Sequence, residues 1–286
     1  MKVLLTGAGG QVGYELRRTK PSSVDLQALA SDQLDITDAD AVSARVVAER
    51  PDVIINAAAY TAVDKAEGEP DVAFAVNAAG VQNLARAAAA TGSYFVHIST
   101  DFVFDGAASR PYPPEAEPRP LGVYGGSKLA GEQAIIDELD AFLVLRTAWV
   151  YSAHGANFVK TMLRLMSERE ELSVVADQVG TPTWAHGLAV AIWRAAEQRL
   201  LGMHHWTDAG VASWYDFAIA IAELGQAAGL ITRTPVVHPI RTEDYPTPAQ
   251  RPSFSVLDKH ATWQALDLKP MHWRAALAQM LADLNT

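Results

Sequence analysis

The sequence predicts an α/β fold built on a doubly wound parallel sheet, and three observations support this. Short apolar segments alternate with helical segments up to about residue 150, which is the pattern of strands joined by crossover helices. A glycine-rich turn follows the first strand, and beyond residue 150 the regular alternation stops. We therefore expect a Rossmann-type doubly wound parallel sheet with a smaller discontinuous substrate-binding domain.

Composition is that of an ordinary globular protein. Hydrophobic residues make up 49% and charged residues 20% of 286 residues, and the net charge is −10. The acidic balance argues against nucleic acid as a partner, because phosphate backbones require clustered Lys and Arg. Without cysteine, disulfides, thiolate metal sites and cysteine nucleophiles are excluded. The apolar start is broken early by Gly7 and no run of about 18 apolar residues occurs, so we expect no signal peptide, no membrane partner and a cytoplasmic location.

The first predicted strand, residues 2–5, runs into the glycine-rich turn. Gly7, Gly10 and Gly13 have the spacing Gly-x-x-Gly-x-x-Gly, and a helix begins within the motif. Such a turn lets the backbone approach a pyrophosphate closely, and the free amides at the helix start then meet the phosphates. We predict dinucleotide binding at this junction, with a plain connecting turn as the alternative.

The second predicted strand, residues 26–30, bears on the choice of cofactor. Sites selective for NAD carry an acidic residue near the end of this strand, which binds the ribose 2′-hydroxyl. Here Ser31 stands at the tip and Asp32 follows, so the acid is absent or displaced. Ser31 is compatible with a 2′-phosphate, whereas Asp32 would oppose one, and we expect NADPH with NADH as an alternative. A third short strand is predicted at residues 34–38, where Asp35 either reaches the adenine or is a simple turn residue.

Helices and strands continue to alternate in the next segments. We predict a helix at 39–49, a buried strand at 53–59, a turn with a further helix at 66–71 and an alanine-rich helix at 74–90. The small side chains of Ala57, Ala58 and Ala59 at the end of the buried strand let a flat cofactor lie against the backbone, and Tyr60 and Thr61 follow next. Asn77 in the alanine-rich helix either braces the active-site backbone or is a satisfied core amide.

A Tyr-x-x-x-Lys pair is the basis of the catalytic prediction. Tyr124 and Lys128 lie in a predicted helix, residues 124–136, so their side chains share one face. A neighbouring cation favours the phenolate, and we expect it to lower the pKa of Tyr124 from about 10 toward the working pH. Thr100 follows a predicted strand at 94–98 and would sit at its carboxyl end, where open α/β sheets bind ligands. Together the three groups can protonate a carbonyl oxygen while a hydride arrives at carbon, although the spacing alone also occurs by chance.

The remaining segments predict two interleaved domains. After a strand at 142–147 we expect helices at 157–168, 186–198, 213–227 and 272–284, strands at 172–175 and 202–206, the latter being the last, and a proline-rich stretch at 235–252. The NAD(P)-binding Rossmann domain would comprise residues 1–150 and about 178–208. The substrate-binding domain would comprise residues of about 151–177 and 209–286. Substrates bind in clefts between such domains.

Several motifs in a fixed order make the chain similar to a known family. They cover residues 6–13, 56–67, 99–106, 124–132, 146–151, 177–183 and 251–252. With these motifs the chain resembles the extended short-chain dehydrogenase/reductases, and within them the dTDP-4-dehydrorhamnose reductases, over nearly its whole length. Several independent motifs in the right order are stronger evidence than any one of them.

The resemblance implies an activity, namely NAD(P)H-dependent reduction of the C4 ketone of a dTDP-4-dehydro-6-deoxy sugar in the last step of dTDP-L-rhamnose synthesis. It implies that Tyr124 donates the proton, that Lys128 binds the nicotinamide ribose and that Thr100 polarises the ketone. It further implies that the pocket for the sugar is lined by Asp101, Phe102 and Trp149. The implied cofactor contacts are Gly10, Gln11 and Val12 along the pyrophosphate, Asp35 and Ile36 by the adenine, and Ala59, Tyr60 and Thr61 under the cofactor.

Some residues depart from the family pattern. Phe102 replaces the usual Tyr after Thr-Asp, which removes a hydroxyl from the pocket edge, and Tyr60 stands where His is common. Some members dimerise through a magnesium ion held by a Glu of the first helix and an acidic pair after the Pro-Thr motif. Glu15 is present, but His186-Gly187 replaces that pair. We therefore predict no metal site and a monomer or weak homodimer.

A dTDP-sugar substrate needs an aromatic or apolar wall for thymine and cations for its pyrophosphate. Candidates in the second domain, each of them otherwise a core or surface residue, are Trp184, Trp214, Tyr245, Lys160, Arg164 and Arg251. Two other functions fit the same fold: a nucleotide-sugar epimerase or dehydratase with tightly bound NAD, and a non-catalytic regulatory subunit. An assay of NADPH oxidation separates both from a reductase.

Overall fold

A six-stranded sheet lies at the centre of the computed structural model, which describes residues 1–269 and 271–284. The strands are β1 (Lys2–Thr6), β2 (Asp25–Leu29), β3 (Val53–Asn56), β4 (Tyr94–Thr100), β5 (Phe142–Thr147), β6 (Val150–Tyr151), β7 (Glu171–Val175), β8 (Val179–Gly180), β9 (Thr183–Trp184), β10 (Gly202–His205), β11 (Ala212–Ser213) and β12 (Val236–Ile240). The helices are α1 (Gln11–Arg18), α2 (Ala39–Glu49), α3 (Val63–Ala66), α4 (Pro70–Phe74), α5 (Gly80–Thr91), α6 (Val123–Glu138), α7 (Phe158–Glu168), α8 (Ala185–Gln198), α9 (Trp214–Ala227), α10 (His260–Leu266) and α11 (Trp273–Asp283).

The central sheet has the strand order β10-β5-β4-β3-β1-β2, and each neighbouring pair is parallel. Successive residues of β1 point to opposite faces, so Val3 and Leu5 pack with α1 and α8, while Leu4 packs with α2 and α5. Helices on both faces confirm the predicted doubly wound fold. The chain reverses direction across the sheet between β1 and β3, and open sheets of this kind bind ligands at such a point.

A second core lies beside the sheet. Helices α7, α9 and α11 pack around Phe217, Met166 and Leu277, which are almost completely buried. A small parallel pair of strands, β7 with β12, and the short pairs β6 with β9 and β8 with β11 surround this core. The predicted division into two domains stays a prediction, and residues 285–286 at its end lie outside the described residues.

The predicted third strand at residues 34–38 is wrong. Ala30 O accepts from the amides of Gln33 and Leu34, which forms a turn, and Asp38 then caps α2 by accepting from the Ala41 amide at 3.0 Å. The alternation that suggested a strand comes from Leu34 and Ile36, which are buried under the α5 side of the sheet. The burial of Leu34 and Ile36, two residues apart, therefore belongs to a turn and not to a strand.

The region after residue 206 is more regular than the sequence indicated. Residues 202–206 were expected to hold the last strand, but β12 lies within the proline-rich stretch and pairs with β7 over five residues. Pro239 lacks an amide hydrogen, and a two-stranded pair with a free edge tolerates this. Helix α10 also forms where no element was expected.

Candidate active site and cofactor cleft

A cleft of about 660 Å³ opens where β1, β3, β4 and β5 end. Loops of the sheet form one wall, and residues of the second core form the other. Many of the residues singled out from the sequence line it, namely Gly10, Gln11, Val12, Ala59, Thr61, Thr100, Asp101, Phe102, Tyr124, Lys128, Trp149 and Arg251. The fold therefore brings the glycine turn and the Tyr/Lys pair together in one site.

The glycine-rich turn is packed too tightly for side chains at two of its positions. Gly7 has φ +73°, and a Cβ there would lie 2.4 Å from the carbonyl carbon of Ala57. A Cβ on Gly13 would lie 2.2 Å from Gly7 O, so α1 sits directly against the turn. The Gly10 amide donates to Gly7 O at 3.1 Å, which closes the turn.

The start of α1 offers the features that a pyrophosphate needs. Gly10 is the N-cap and contributes no side-chain cap, so the amides of the first turn, including those of Gln11 and Val12, have no helical partner. Such amides, together with the positive end of the helix dipole, bind phosphate. The residues present therefore fit a dinucleotide.

The residues predicted for the adenosine end lie outside the lining of the cleft. Ser31 is exposed, and Ile36 is buried in the core. Asp35 Oδ1 accepts from the amide of Thr37 at 2.9 Å and from its hydroxyl at 2.8 Å, which is the turn role that the sequence left open. An adenosine role for Ser31, Asp35 and Ile36 stays a prediction.

Asn77 holds the segment that runs beneath the cleft. Its side-chain oxygen accepts from the Tyr60 amide at 2.9 Å, and its nitrogen donates to Tyr60 O and to Ser127 Oγ, both at 3.0 Å. Asn77 is thus a satisfied buried amide that also ties the 58–61 segment to α6. The Ala58 amide donates to Asn56 Oδ1 at 3.0 Å, which fixes the other end of this segment.

Thr100 and Tyr124 come together because β4 ends close to the point where α6 begins. Thr100 is the last residue of β4, and its hydroxyl donates to Asp101 Oδ1 and accepts from the Phe102 amide, both at 3.2 Å. Helix α6 begins at Val123, whose amide donates to Glu67 at 2.8 Å. The Tyr124 ring then packs edge-on against Phe102, with centroids 5.5 Å apart.

The expectation of an acidified phenol is wrong for the cofactor-free protein. Burial and, to a smaller extent, the charge of Asp101 raise the pKa of Tyr124 to about 12, against the opposing effect of the Thr100 hydroxyl. In the described part of the chain, Lys128 Nζ donates to Ile98 O at 2.7 Å and contacts His97 Nε2 at 3.1 Å, but it does not hydrogen-bond Tyr124. Burial lowers the pKa of Lys128 to about 8, against the opposing charge of Glu132.

Two buried oxygen atoms at the cleft lack protein partners. Asp101 Oδ2 and Thr147 Oγ1 have no hydrogen bond within the described residues, and both residues line the cleft. Burial raises the pKa of Asp101 to about 6, although the nearby Ser255 hydroxyl and the Thr100 hydroxyl oppose this. Thr147 was not identified from the sequence, but it lies beside Thr100 in the β4–β5 register. Buried polar oxygens normally have a hydrogen-bond partner, and the absence of one, in the part of the chain that the structure describes, at these two residues of the cleft is unusual.

The opposite wall of the cleft is aromatic. Trp149 has φ +49°, and its ring stacks on Trp214 with centroids 3.6 Å apart. Phe158 packs on Trp214 at 4.7 Å, and Phe217 lies behind them. Trp214 was one of several candidates in the sequence. Phe158 and Phe217 were missed, although Trp214 and Phe217 have the i, i+3 spacing of one helix face.

Among the other candidates, only Arg251 lines the cleft. Its guanidinium donates to Asp64 at 2.8 Å and also bonds Thr247 and Ala249 O. The remaining candidates are engaged elsewhere: Trp184 is buried in the second core, Lys160 donates to Ala153 O, Arg164 pairs with Glu168, and Tyr245 is exposed.

The Glu15 region forms a link between the sheet and the second core. Glu15 is fully buried, accepts from Arg18 at 2.8 Å and from Ser152 Oγ at 3.0 Å, and lies 3.5 Å from His186. These hydrogen bonds outweigh burial and lower the pKa of Glu15. Within residues 1–269 and 271–284, no group of three His, Cys, Asp or Glu is arranged to hold a metal ion. No helix in these ranges is long and apolar enough to cross a membrane.

Comparison with known proteins agrees with this geometry. A family model described as the RmlD substrate binding domain matches residues 1–286. The chain belongs to this family. A dTDP-4-dehydrorhamnose reductase of Aggregatibacter actinomycetemcomitans is 43% identical over 98% of both chains.

Solved structures of similar proteins have the same architecture. A dTDP-4-dehydrorhamnose reductase from Clostridium acetobutylicum superposes with a TM-score of 0.94 at 40% identity, covering 100% of both chains. One from Bacillus anthracis, solved in complex with NADP, has a TM-score of 0.92 at 38% identity and 99% coverage of both. Membership of the RmlD family therefore extends over the whole chain.

Proposed function

We propose that this protein is an NAD(P)H-dependent oxidoreductase that reduces the C4 ketone of dTDP-4-dehydro-6-deoxy-L-mannose to give dTDP-L-rhamnose. The observation that supports this most strongly is the convergence of the glycine turn with Thr100, Tyr124 and Lys128 in one cleft. Family membership and the names of the relatives point to the same reaction. The oxidoreductase would act in dTDP-rhamnose biosynthesis.

Tyr124 is the proton donor in this proposal. Because burial keeps its pKa near 12, the phenol stays protonated at neutral pH, which is the form a general acid requires. Thr100 and Tyr124 would hydrogen-bond the ketone oxygen, on which negative charge grows during reduction. Tyr124 then transfers its proton to the oxygen, completing the alcohol.

The cofactor would lie along the floor of the cleft. When bound, a reduced nicotinamide supplies the hydride to the ketone carbon. Pyrophosphate would meet the amides of Gln11 and Val12, and the small side chains of Ala58 and Ala59 would lie beneath the rings. Lys128 would reach the ribose. We propose NADPH as the cofactor, with NADH as the alternative, and the NADP complex of the Bacillus anthracis relative supports this.

The sugar nucleotide would occupy the side of the cleft toward the second core. The cleft is lined by Asp101, Phe102, Trp149 and Arg251, and Trp214 extends its aromatic wall. An aromatic wall suits the apolar face of a deoxysugar or of thymine, and Arg251 suits a pyrophosphate. These roles, and the two-domain division around the cleft, are part of the proposal.

A spectrophotometric assay tests the proposed function. NADPH and NADH are each mixed with a set of 4-keto sugar nucleotides, and we expect stoichiometric oxidation with the dTDP-4-keto-6-deoxy sugar. Purified protein that carries NAD and shows no net oxidation would indicate the epimerase or dehydratase alternative. Cofactor binding without turnover of any sugar would indicate a regulatory subunit.

The assembly state is a separate part of the proposal. Since His186-Gly187 lies where some similar enzymes carry an acidic pair, we propose a cytoplasmic monomer or weak homodimer that needs no metal. Light scattering after gel filtration, with and without a chelator, should give the same mass. A dimer that dissociates on chelation would contradict it.

A further inference from the structure

A buried chain of hydrogen bonds runs from β1 to Lys128. Asn56 Oδ1 accepts from Thr6 Oγ1 at 2.7 Å and from the Ala58 amide at 3.0 Å. Asn56 Nδ2 lies 3.0 Å from His97 Nδ1, and His97 Nε2 lies 3.1 Å from Lys128 Nζ. Asn56 and His97 are fully buried and Lys128 is 2% exposed, so these contacts are shielded from bulk water.

The donors and acceptors in this chain determine which His97 nitrogen carries hydrogen. The Ala58 backbone amide can only donate, so the Asn56 atom that faces it must be the carbonyl oxygen. The amide nitrogen of Asn56 therefore faces His97 Nδ1 and donates to it. A neutral imidazole that accepts at Nδ1 carries its hydrogen at Nε2.

This tautomer presents a donor to Lys128. An ammonium group has three hydrogens and no lone pair, so it cannot accept a hydrogen bond from His97 Nε2. A neutral amine has a lone pair that can accept from His97 while its own hydrogen bonds Ile98 O. The observed pair of contacts, at 3.1 and 2.7 Å, is therefore complementary only to the neutral form of Lys128.

We propose that His97 is a positioning residue for Lys128 that favours its neutral amine in the cofactor-free protein and thereby lowers the pH above which the ammonium is lost. Its catalytic consequence rests on the proposed reductase function, because an ammonium is what would bind the ribose and stabilise a developing phenolate. His97 acts through Lys128 and does not line the cleft.

Other charges near Lys128 are already engaged. On its own helix, Glu132 accepts from Arg146 at 2.6 and 2.9 Å and from Ser99, so this carboxylate is paired. Asp101 Oδ1 accepts from the hydroxyl of its neighbour Thr100, and the Tyr124 phenol is uncharged at neutral pH. Toward α5, Asn77 bonds Ser127 and is neutral.

The directions of the local pKa shifts agree with this network. Burial lowers the pKa of His97 well below its ordinary value, with the Lys128 charge adding to this, so an imidazolium is disfavoured. Burial also lowers the pKa of Lys128 to about 8. Both groups therefore lose their charge more readily than in water.

The first test reads the tautomer directly, without any activity. In ¹⁵N-histidine-labelled, cofactor-free protein at pH 9, above the pKa of Lys128, His97 is assigned by comparison with His97→Gln or, if that variant does not fold, by its altered signals in Asn56→Asp. We expect a hydrogen-bearing Nε2 and an unprotonated Nδ1. A hydrogen on Nδ1, in either the neutral or the charged ring, would overturn the proposal.

The second test uses Asn56→Asp to reverse the tautomer. The carboxylate still accepts from Ala58 but now also accepts from His97 Nδ1–H, which leaves a lone pair on Nε2 for the Lys128 ammonium. We expect the pH above which kcat/KM for NADPH declines, the alkaline limb of the profile, to rise by about one unit. His238→Gln, at an exposed histidine, should leave the limb unchanged.

The two readouts together separate the possible failures. If the alkaline limb moves in Asn56→Asp while the His97 tautomer stays the same, the added carboxylate acts only through its charge, and the proposal is overturned. If the His97 tautomer reverses but the alkaline limb does not move, the proposal is overturned as well. Absence of reductase activity would count against the proposed function, while the tautomer measurement would still decide how His97 faces Lys128.

Discussion

The indole of Trp149 lies flat on the indole of Trp214, with ring centroids 3.6 Å apart and planes 8° from parallel. A Cβ on Gly180 would lie 2.6 Å from Trp149 Cε2, so this glycine leaves room for the ring. Strand β8 and the start of α9 therefore hold Trp149 from two sides. In the proposed function, this stack is the wall against which the sugar nucleotide lies.

The stack can be tested with Gly180→Ala. Because the added methyl group must displace the Trp149 ring, we expect KM for the sugar nucleotide to rise about tenfold, equivalent to about 1.4 kcal/mol of binding. Gly68→Ala is the control, since a Cβ there would lie 3.7 Å from its nearest neighbour, Lys65 O. An unchanged KM in Gly180→Ala would show that the ring position does not matter for the substrate.

The glycine turn predicts a contrast between two neighbouring alanine variants. Gly13→Ala places a methyl group 2.2 Å from Gly7 O and should lower the free energy of unfolding by about 1–3 kcal/mol and weaken NADPH binding. At Gly9 the nearest atom would be Ala30 Cβ, 4.0 Å away, so Gly9→Ala should keep the wild-type melting temperature. Equal melting temperatures for the two variants would contradict the packing described for α1.

The buried carboxyl of Asp101 predicts a pH-dependent stability. Its folded pKa of about 6 lies above the unfolded value, so the folded protein binds the proton more tightly. The cost of the buried charge is present above pH 6 and disappears as the pH falls through 6 toward 4. Between about pH 7.5 and 4.5, wild-type stability should therefore rise relative to Asp101→Asn by on the order of 2 kcal/mol.

Thermal denaturation of both proteins across this pH range measures the effect. Asp140→Asn, at an exposed carboxyl, is the control and should follow the wild type at each pH. A difference between wild type and Asp101→Asn that does not vary with pH would mean that Asp101 is not buried as a titrating group.

The parts of the site that come from local pattern were predictable from the sequence. Thr100 could be placed at the end of a strand because an apolar run typical of a parallel strand precedes it. The glycine turn could be recognised because its spacing is typical of a dinucleotide-binding junction between a strand and a helix. The alternation at Leu34 and Ile36 was misleading, because a buried turn can have the same period as a strand.

The direction of the Lys128 side chain depends on tertiary contacts. Its i, i+4 relation to Tyr124 places both on one helix face, but a flexible side chain goes where a buried partner is, here His97 and Ile98 O. The Trp149–Trp214 stack joins distant segments of the chain. Such pairings depend on how the second core packs on the sheet, and no local period encodes them.

Substitution of Tyr124 by Phe is the most direct test of the reductase account. Turnover of the dTDP-4-keto sugar with NADPH should fall by about 10²- to 10⁴-fold, because the proton donor is lost while the ring remains. NADPH affinity, measured by fluorescence titration, should be retained, and Tyr215→Phe, outside the cleft lining, should keep wild-type turnover. Near-normal turnover by the Tyr124→Phe enzyme would contradict the assignment of the phenol as the acid.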